Sequence, residues 1–125
     1  MFIVNGEKMD NLNELKELIR EYVNERDWEQ FHNPKDLALA LNLEVSEILE
    51  HFRFKNNDEI SKYIKDFKNR QELGHELADV LYFLVRLADV MNIDLPNAFK
   101  EKFEIIKKKY PVEKAEGSNK KYTEL

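Results

Sequence analysis

No cysteine occurs in the 125 residues. Disulfides, thiolate zinc sites and cysteine-held iron–sulfur clusters are therefore excluded, and the chain suits a cytoplasmic setting. Glycine and proline are scarce, with three of each. A chain so poor in turn residues, and rich in Leu, Glu and Lys, builds helices rather than many short strands. No apolar run reaches the roughly 18 residues of a membrane-crossing helix, so no membrane partner is expected. No charged-then-apolar leader pattern opens the sequence. Basic residues are outnumbered, 20 against 25 acidic, for a net charge of −5. That balance argues against a nucleic-acid polymer as partner, because such binding rests on phosphate neutralisation. What is present, 42% hydrophobic and 36% charged residues, describes one folded domain with a modest core.

The stretch Glu76–Val85 poses the main question. At about 100° per residue, Leu77, Val80, Leu81, Leu84, Val85, Leu87 and Ala88 cover most of a helix circumference. A helix apolar nearly all round belongs in a core. Yet Glu76 and Asp79 lie one turn apart on it. Unpaired buried carboxylates cost several kcal/mol each, so something positive must meet them.

Around this stretch the pattern predicts four long helices, with a short extra one between the second and third. Phe2-Ile3-Val4 before Asn5-Gly6 reads as a short extended piece ending in a turn. A first helix is expected over 11–26, with Asn11 and Glu14 as a capping box and Leu12, Leu15, Ile19, Tyr22 and Val23 as its apolar stripe. Residues 27–36 form a loop carrying Trp28, Phe31 and His32, stopped by Pro34. These aromatics either plug the end of a bundle or stack on a flat ligand. The second helix is expected from Asp36, as N-cap, to Phe54. On its wheel Glu44 and Glu47 sit among apolar residues, with His51 one turn beyond. Ile60, Tyr63, Ile64 and Phe67 keep helical spacing within 55–70. The third long helix spans about 70–91, and the fourth starts at Asp94-Leu95-Pro96, carries Phe99, Phe103 and Ile106 inward and ends at Tyr110-Pro111. The domain is thus 1–111, followed by a charged tail, 112–125.

Acidic pairs three apart share a helix face, and chance alone gives about five in a chain this acidic. Seven occur: 7/10, 14/17, 44/47, 47/50, 76/79, 101/104 and 113/116. Spacing therefore discriminates weakly, and burial discriminates better. Only 44/47 and 76/79 fall on faces expected in the core. Facing each other across a bundle, four carboxylates repel unless a cation lies between them. An all-oxygen set suits a hard ion, Mg²⁺ or Mn²⁺. The competing account is a buried ion-pair network with Arg86, Arg53 or Lys102. Magnesium takes part of its shell from water and phosphates, so such a site points to a phosphate ester or anhydride.

Glu44-x-x-Glu47, a 28-residue gap and Glu76-x-x-Asp79 resemble the metal motif of the MazG-like, all-α nucleoside triphosphate pyrophosphohydrolases. The likeness extends to Arg26-Asp27-Trp28-Glu29-Gln30-Phe31-His32, to Asp94-Leu95-Pro96 and to Lys109-Tyr110-Pro111, which are similar to the dCTP pyrophosphatase branch. It covers about residues 11–111. The resemblance implies a four-helix-bundle-type fold, assembly as a homodimer or homotetramer, and hydrolysis of deoxynucleoside triphosphates to monophosphate and pyrophosphate, a nucleotide-pool-cleansing activity. It implies that Glu44, Glu47, Glu76 and Asp79 hold Mg²⁺, with Glu44 or Glu47 orienting the attacking water. Trp28, Phe31, His32 and Phe54 would enclose the base, with Phe83 beside them. Lys102, Lys109 and Tyr110 match a phosphate-side motif. Four positions depart from the branch: Phe83 for a common tyrosine, Phe54 for tryptophan, Ile106 for asparagine and His75 for glutamate. Each touches selectivity more than the metal site.

Two other readings stand beside this one. A ferritin-like carboxylate bundle needs two Glu-x-x-His pairs, and the chain offers Glu29/His32 and Glu72/His75. A non-catalytic helical interaction module would pair its buried acids with basic side chains.

Overall fold

The computed structural model describes residues 2–4, 7–9 and 12–125. Short strands β1 (Phe2–Val4) and β2 (Glu7–Met9) pair antiparallel, with Phe2 opposite Met9. The turn expected at Asn5-Gly6 and the cap expected at Asn11 lie outside the described residues. All else is helical: α1 (Leu12–Glu25), α2 (Pro34–Phe52), α3 (Asn57–Tyr63), α4 (Phe67–Val90), α5 (Leu95–Lys109) and α6 (Val112–Ala115). The fold is all-α, as expected. Among the described residues no helix is long and apolar enough to cross a membrane.

Local chemistry fixes where the helices begin. A helix start leaves four amides without intrahelical partners, and a short polar side chain just before it satisfies one. Asn33 caps α2 by accepting from the Asp36 amide at 2.9 Å, with Pro34 in the first turn. The expected cap, Asp36, is instead the residue being capped. A proline fits the first helical position because its missing N–H would be unpaired there anyway, and this moves the cap three residues back, from Asp36 to Asn33. Asn56 and Glu59 form a capping box on α3. Asp66 caps α4 and Asp94 caps α5, the latter as expected. The cap at Asp66 lets α4 take in Phe67, Lys68 and Asn69, so the long helix begins three residues before the expected Arg70. Asn69 Nδ2 also donates to the Tyr63 carbonyl at 3.1 Å, tying the end of α3 to the start of α4.

Two compact units divide the chain, residues 1–92 and 93–125. In the first, α2 packs along α4, and α1 packs on α4. The most buried apolar side chains are Val23 on α1, Leu37 on α2, and Val85 and Ala88 on α4. Burying a side chain of Val or Leu size contributes about 1.5–3 kcal/mol. Helix α4 is not buried all round in a single copy, contrary to its sequence pattern: Leu77 stays 60% exposed. In the second unit Phe99 and Phe103 stack with ring centroids 5.6 Å apart and an interplanar angle of 13°. Both remain exposed, as does Ile106, although the pattern predicted them inward. The tail carries α6 and a 3₁₀ turn over Tyr122–Glu124, whose Tyr122 amide donates to the Tyr110 hydroxyl at 3.2 Å.

One buried charge needs explanation. Arg86 on α4 is only 6% exposed. Its Nη1 donates to Asp89 Oδ2 at 3.3 Å, and Asp89 is also gripped by Arg20 of α1 through two guanidinium nitrogens. The Arg20 hydrogen bond, foremost, and the Arg20 and Arg86 charges hold the Asp89 carboxyl below its ordinary value. Asp89→Asn should therefore destabilise the protein by about 2–3 kcal/mol in urea denaturation, because it strips a buried arginine of its anion. The stabilisation is complete above the unfolded carboxylate value near pH 4 and is lost as pH falls through the lowered folded value. The gap between wild type and Asp89→Asn should close over that acid range. A gap that is the same at pH 7 and pH 2.5 would contradict the assignment.

Candidate active site

An open cleft of about 630 Å³ lies in the first unit. It is lined by Leu18, Ile19 and Tyr22 of α1, Trp28 and His32 of the following loop, Glu44 of α2, and Asp79, Tyr82 and Phe83 of α4. Its size falls within the roughly 300–1,000 Å³ usual for small-molecule sites. The aromatic side is continuous. Trp28 meets Tyr22 edge to face at 5.6 Å between centroids, Tyr22 meets Tyr82 at 6.2 Å, and Tyr82 meets Phe83 at 4.9 Å. Such edge-to-face contacts hold rings in fixed orientations and leave faces open for stacking. The loop is set by Asp27, whose φ of 52° turns the chain out of α1, and by the Trp28 amide donating to the Val23 carbonyl at 3.1 Å. Aspartate tolerates that left-handed conformation.

The opposite chemistry lies on α2 and α4. Glu44 and Asp79 line the cleft, and Glu44, Glu47, Glu76 and Asp79 form one electrostatic group. The Glu44 carboxyl is pushed up by burial first, then by the charges of Asp79, Glu76 and Glu47. Glu76 and Glu44 are half-buried, whereas Glu47 and Asp79 are exposed. Glu76 Oε2 is buried with no hydrogen-bond partner among the described residues. Its other oxygen lies 3.5 Å from His51 Nε2, and His51 Nδ1 lies 2.6 Å from the Tyr63 hydroxyl. Neither arginine proposed as a counter-ion serves these four: Arg53 pairs with Glu50 and Arg86 with Asp89. Like charges gathered without a cation, and an orphaned buried oxygen among them, fit a hard divalent ion by charge and by donor type. The four are neighbours rather than a closed cage, since no three acidic or histidine side chains among the described residues converge on one point.

Other expected residues fall elsewhere. Trp28, His32 and Phe83 line the cleft, but Phe31 and Phe54 of the same chain do not. Phe54 sits at φ 66° and is 88% exposed, with the Arg53 guanidinium 4.5 Å from its ring centroid. Lys102, Lys109 and Tyr110 belong to the second unit, on α5 and at its C-cap. Tyr22, Tyr82 and Arg86 gain functional positions that the sequence reading did not give them. Tyr22 counted there as one member of an α1 core stripe; the signal available was its place one turn before an aromatic loop. The ferritin-like reading loses a ligand, because His32 Nδ1 already accepts from Arg86 Nε at 2.9 Å.

An acidic group beside an aromatic cleft on an all-α fold is the arrangement that the sequence resemblance implied. A model of the MazG-like family matches residues 39–125, and the chain belongs to that family. It is 43% identical to human dCTP pyrophosphatase 1 over 114 residues, which span 91% of this chain and 67% of that protein. The bovine protein of the same name is 41% identical over an equal length, spanning 91% of this chain and 68% of its own. Among solved structures, a pyrophosphatase from Archaeoglobus fulgidus superposes with a TM-score of 0.75 at 35% identity, covering 84% of this chain and 96% of that one.

The charge arrangement makes a direct prediction. A divalent cation at a hundredfold excess over its Kd should stabilise the protein by about 2.7 kcal/mol. Glu44→Gln relieves like-charge crowding, so without metal it should melt no lower than wild type, yet its melting temperature should respond less to the cation. A thermal-shift titration checks both, and a Glu44→Gln protein that gains as much as wild type would rule out Glu44 as a ligand.

Proposed function

We propose that this chain is a Mg²⁺-dependent enzyme that hydrolyses deoxynucleoside triphosphates, dCTP-like ones favoured, to the monophosphate and pyrophosphate. The pyrophosphohydrolase class rests on membership of the MazG-like family and on its relatives. The observation that carries the substrate reading is the cleft itself: one cavity joins a wall of aromatic rings to the carboxylates of Glu44 and Asp79. A nucleotide has that same division, a flat apolar base at one end and a polyanion needing a cation at the other. The dCTP preference is taken from the relatives' names.

Glu44, Glu47, Glu76 and Asp79 would hold the cation, Mg²⁺ or alternatively Mn²⁺. Bound there, it would neutralise the phosphates and lower the cost of charge developing on the departing pyrophosphate. Trp28, Tyr22, Tyr82 and Phe83 would stack on and flank the base. Glu44 is the better candidate of the two glutamates to orient the attacking water, because it lines the cleft and Glu47 does not. The water oxygen bonds to the α-phosphorus, its proton passes to the carboxylate, and the bond from that phosphorus to the bridging oxygen breaks. Lys102, Lys109 and Tyr110 are assigned to the phosphates on the resemblance alone.

Assembly as a homodimer or homotetramer is part of the same proposal. Leu39 and Leu43 on α2, one turn apart, and Leu77, Leu81 and Leu84 on α4, at i, i+4 and i+7, stay exposed. Scattered exposed leucines are ordinary, but stripes along two adjacent helices mark a surface that is covered. Phe54, solvent-exposed in a conformation bulky residues rarely adopt, would then serve a cleft of a second copy.

Incubation with each dNTP and Mg²⁺ should release pyrophosphate and monophosphate, fastest from dCTP or a close analogue. Asp79→Ala should lose at least about a hundredfold in rate while keeping its helix content by circular dichroism. Orthophosphate as the sole product, or an active Asp79→Ala, would defeat the proposal. In sedimentation, wild type should run as a dimer or tetramer, and Leu39→Arg with Leu84→Arg as a smaller species; a monomeric wild type would remove the assembly.

A further inference from the structure

The buried arginine beside the cleft has a second partner. Besides Asp89, Arg86 donates its Nε–H to Nδ1 of His32 at 2.9 Å, and His32 lines the cleft. The chemistry of this contact leaves little freedom. A guanidinium has only donors and stays protonated at any ordinary pH. The imidazole nitrogen that receives it must therefore carry a lone pair and no proton. A neutral imidazole has one N–H, which must then be on Nε2. A second proton on Nδ1 would set N–H against N–H beside a buried cation.

Three further observations hold the contact in place. Asp89, itself 7% exposed, fixes Arg86 from one side and is anchored in turn by Arg20. The His32 amide donates to the Glu29 carbonyl at 3.1 Å, closing the 3₁₀ turn Glu29–Phe31 and fixing the backbone that carries the ring. Nε2 of His32 has no hydrogen-bond partner among the described residues, so the donor it must carry is left for a ligand. The environment works in the same direction: burial and then the Arg86 charge hold the imidazole below its ordinary pKa.

We propose that Arg86 is a positioning residue for substrate recognition: it locks His32 as the neutral Nε2–H tautomer, which offers the cleft one directed hydrogen-bond donor and no charge. This rests on reading the cleft as the nucleoside site. The group that His32 recognises is then an acceptor on the nucleoside, a carbonyl or hydroxyl oxygen or an unprotonated ring nitrogen. It is not a phosphate held by charge, and His32 is not a general acid.

The test is a long-range ¹H–¹⁵N correlation spectrum of the full chain labelled at its histidines, with His32→Gln to assign the signal. Wild-type His32 should show a protonated Nε2 and a bare Nδ1 from about pH 8 down through the ordinary histidine value near 6.5. Arg86→Met keeps side-chain length and removes the donors. In that variant both tautomers should appear, the ring should titrate, and KM for the preferred dNTP should rise about tenfold, with the effect on KM exceeding that on kcat. Arg86→Lys, which retains a cationic donor, should recover part of both. A wild-type His32 that carries its proton on Nδ1, or is doubly protonated at neutral pH, overturns the proposal, as does an Arg86→Met protein with unchanged spectrum and KM. The wild-type spectrum decides even if Arg86→Met does not fold. The two readings fail separately: absence of dNTP turnover by wild type would remove the nucleotide assignment, while the tautomer is read from the spectrum alone.

Discussion

Like-charge repulsion along the α2–α4 seam is the constraint around which this protein is built. Packing these two helices lengthwise brings Glu44, Glu47, Glu76 and Asp79 within range of one another. Two consequences follow at once. The Glu44 carboxyl is driven up, by burial first and then by its three acidic neighbours, and one oxygen of Glu76 is buried with no hydrogen-bond partner among the described residues. A helix pair held only for stability would gain by replacing such groups with apolar ones, since unmatched buried charge costs several kcal/mol. A cation between them, as proposed, would offset that repulsion.

The remaining charges show the contrast. Arg86 is more deeply buried than any of the four acids, yet its positive charge is matched by Asp89, while Arg20, which also grips Asp89, is matched by Glu17 at 3.0 Å. This second group is internally balanced and asks for no ligand. The two clusters lie on the same helix α4, with Asp79 and Arg86 two turns apart in sequence. One helix thus carries an unbalanced acidic group and a balanced ion-paired one; the cleft meets the first directly at Asp79 and the second through His32.

Much of this was legible in the sequence, for reasons that differ between elements. Helical spacing and the paired acids on two otherwise apolar faces pointed to the α2–α4 seam, because carboxylates among leucines have few physical explanations. The cap at Asp94 was readable because Asp before Leu-Pro leaves little choice. Asn33 was missed as a cap because Pro34 read as a stop rather than as a first helical residue. The role of Arg86 could not be read: one partner, His32, is 54 residues away, and the Arg20 that anchors its other partner, Asp89, is 69 residues from that aspartate, so nothing local distinguishes Arg86 from a counter-ion for the nearby acids. Burial was overestimated at Leu77 for a related reason. Periodicity says that a face is to be covered, but not whether the cover comes from the same chain.

The neutral state of His32 bears on how a triphosphate would enter the cleft. A protonated imidazole among the aromatic rings would be a second attractor for phosphate. A nucleotide could then settle reversed, its polyanion toward His32 and its base toward the carboxylates. Two unit charges about 4 Å apart at an effective dielectric near 20 interact by about 4 kcal/mol, enough to compete with stacking at about 1–3 kcal/mol per base. Arg86 removes that attractor by occupying Nδ1, while Asp89 keeps the arginine's own charge matched. Attraction for the phosphates is thereby confined to whatever cation the four carboxylates hold. The aromatic end is left with stacking surfaces and uncharged donors, the His32 Nε2–H among them. On the proposed reading, a nucleotide would lie with its base among the rings and its α-phosphorus toward Glu44.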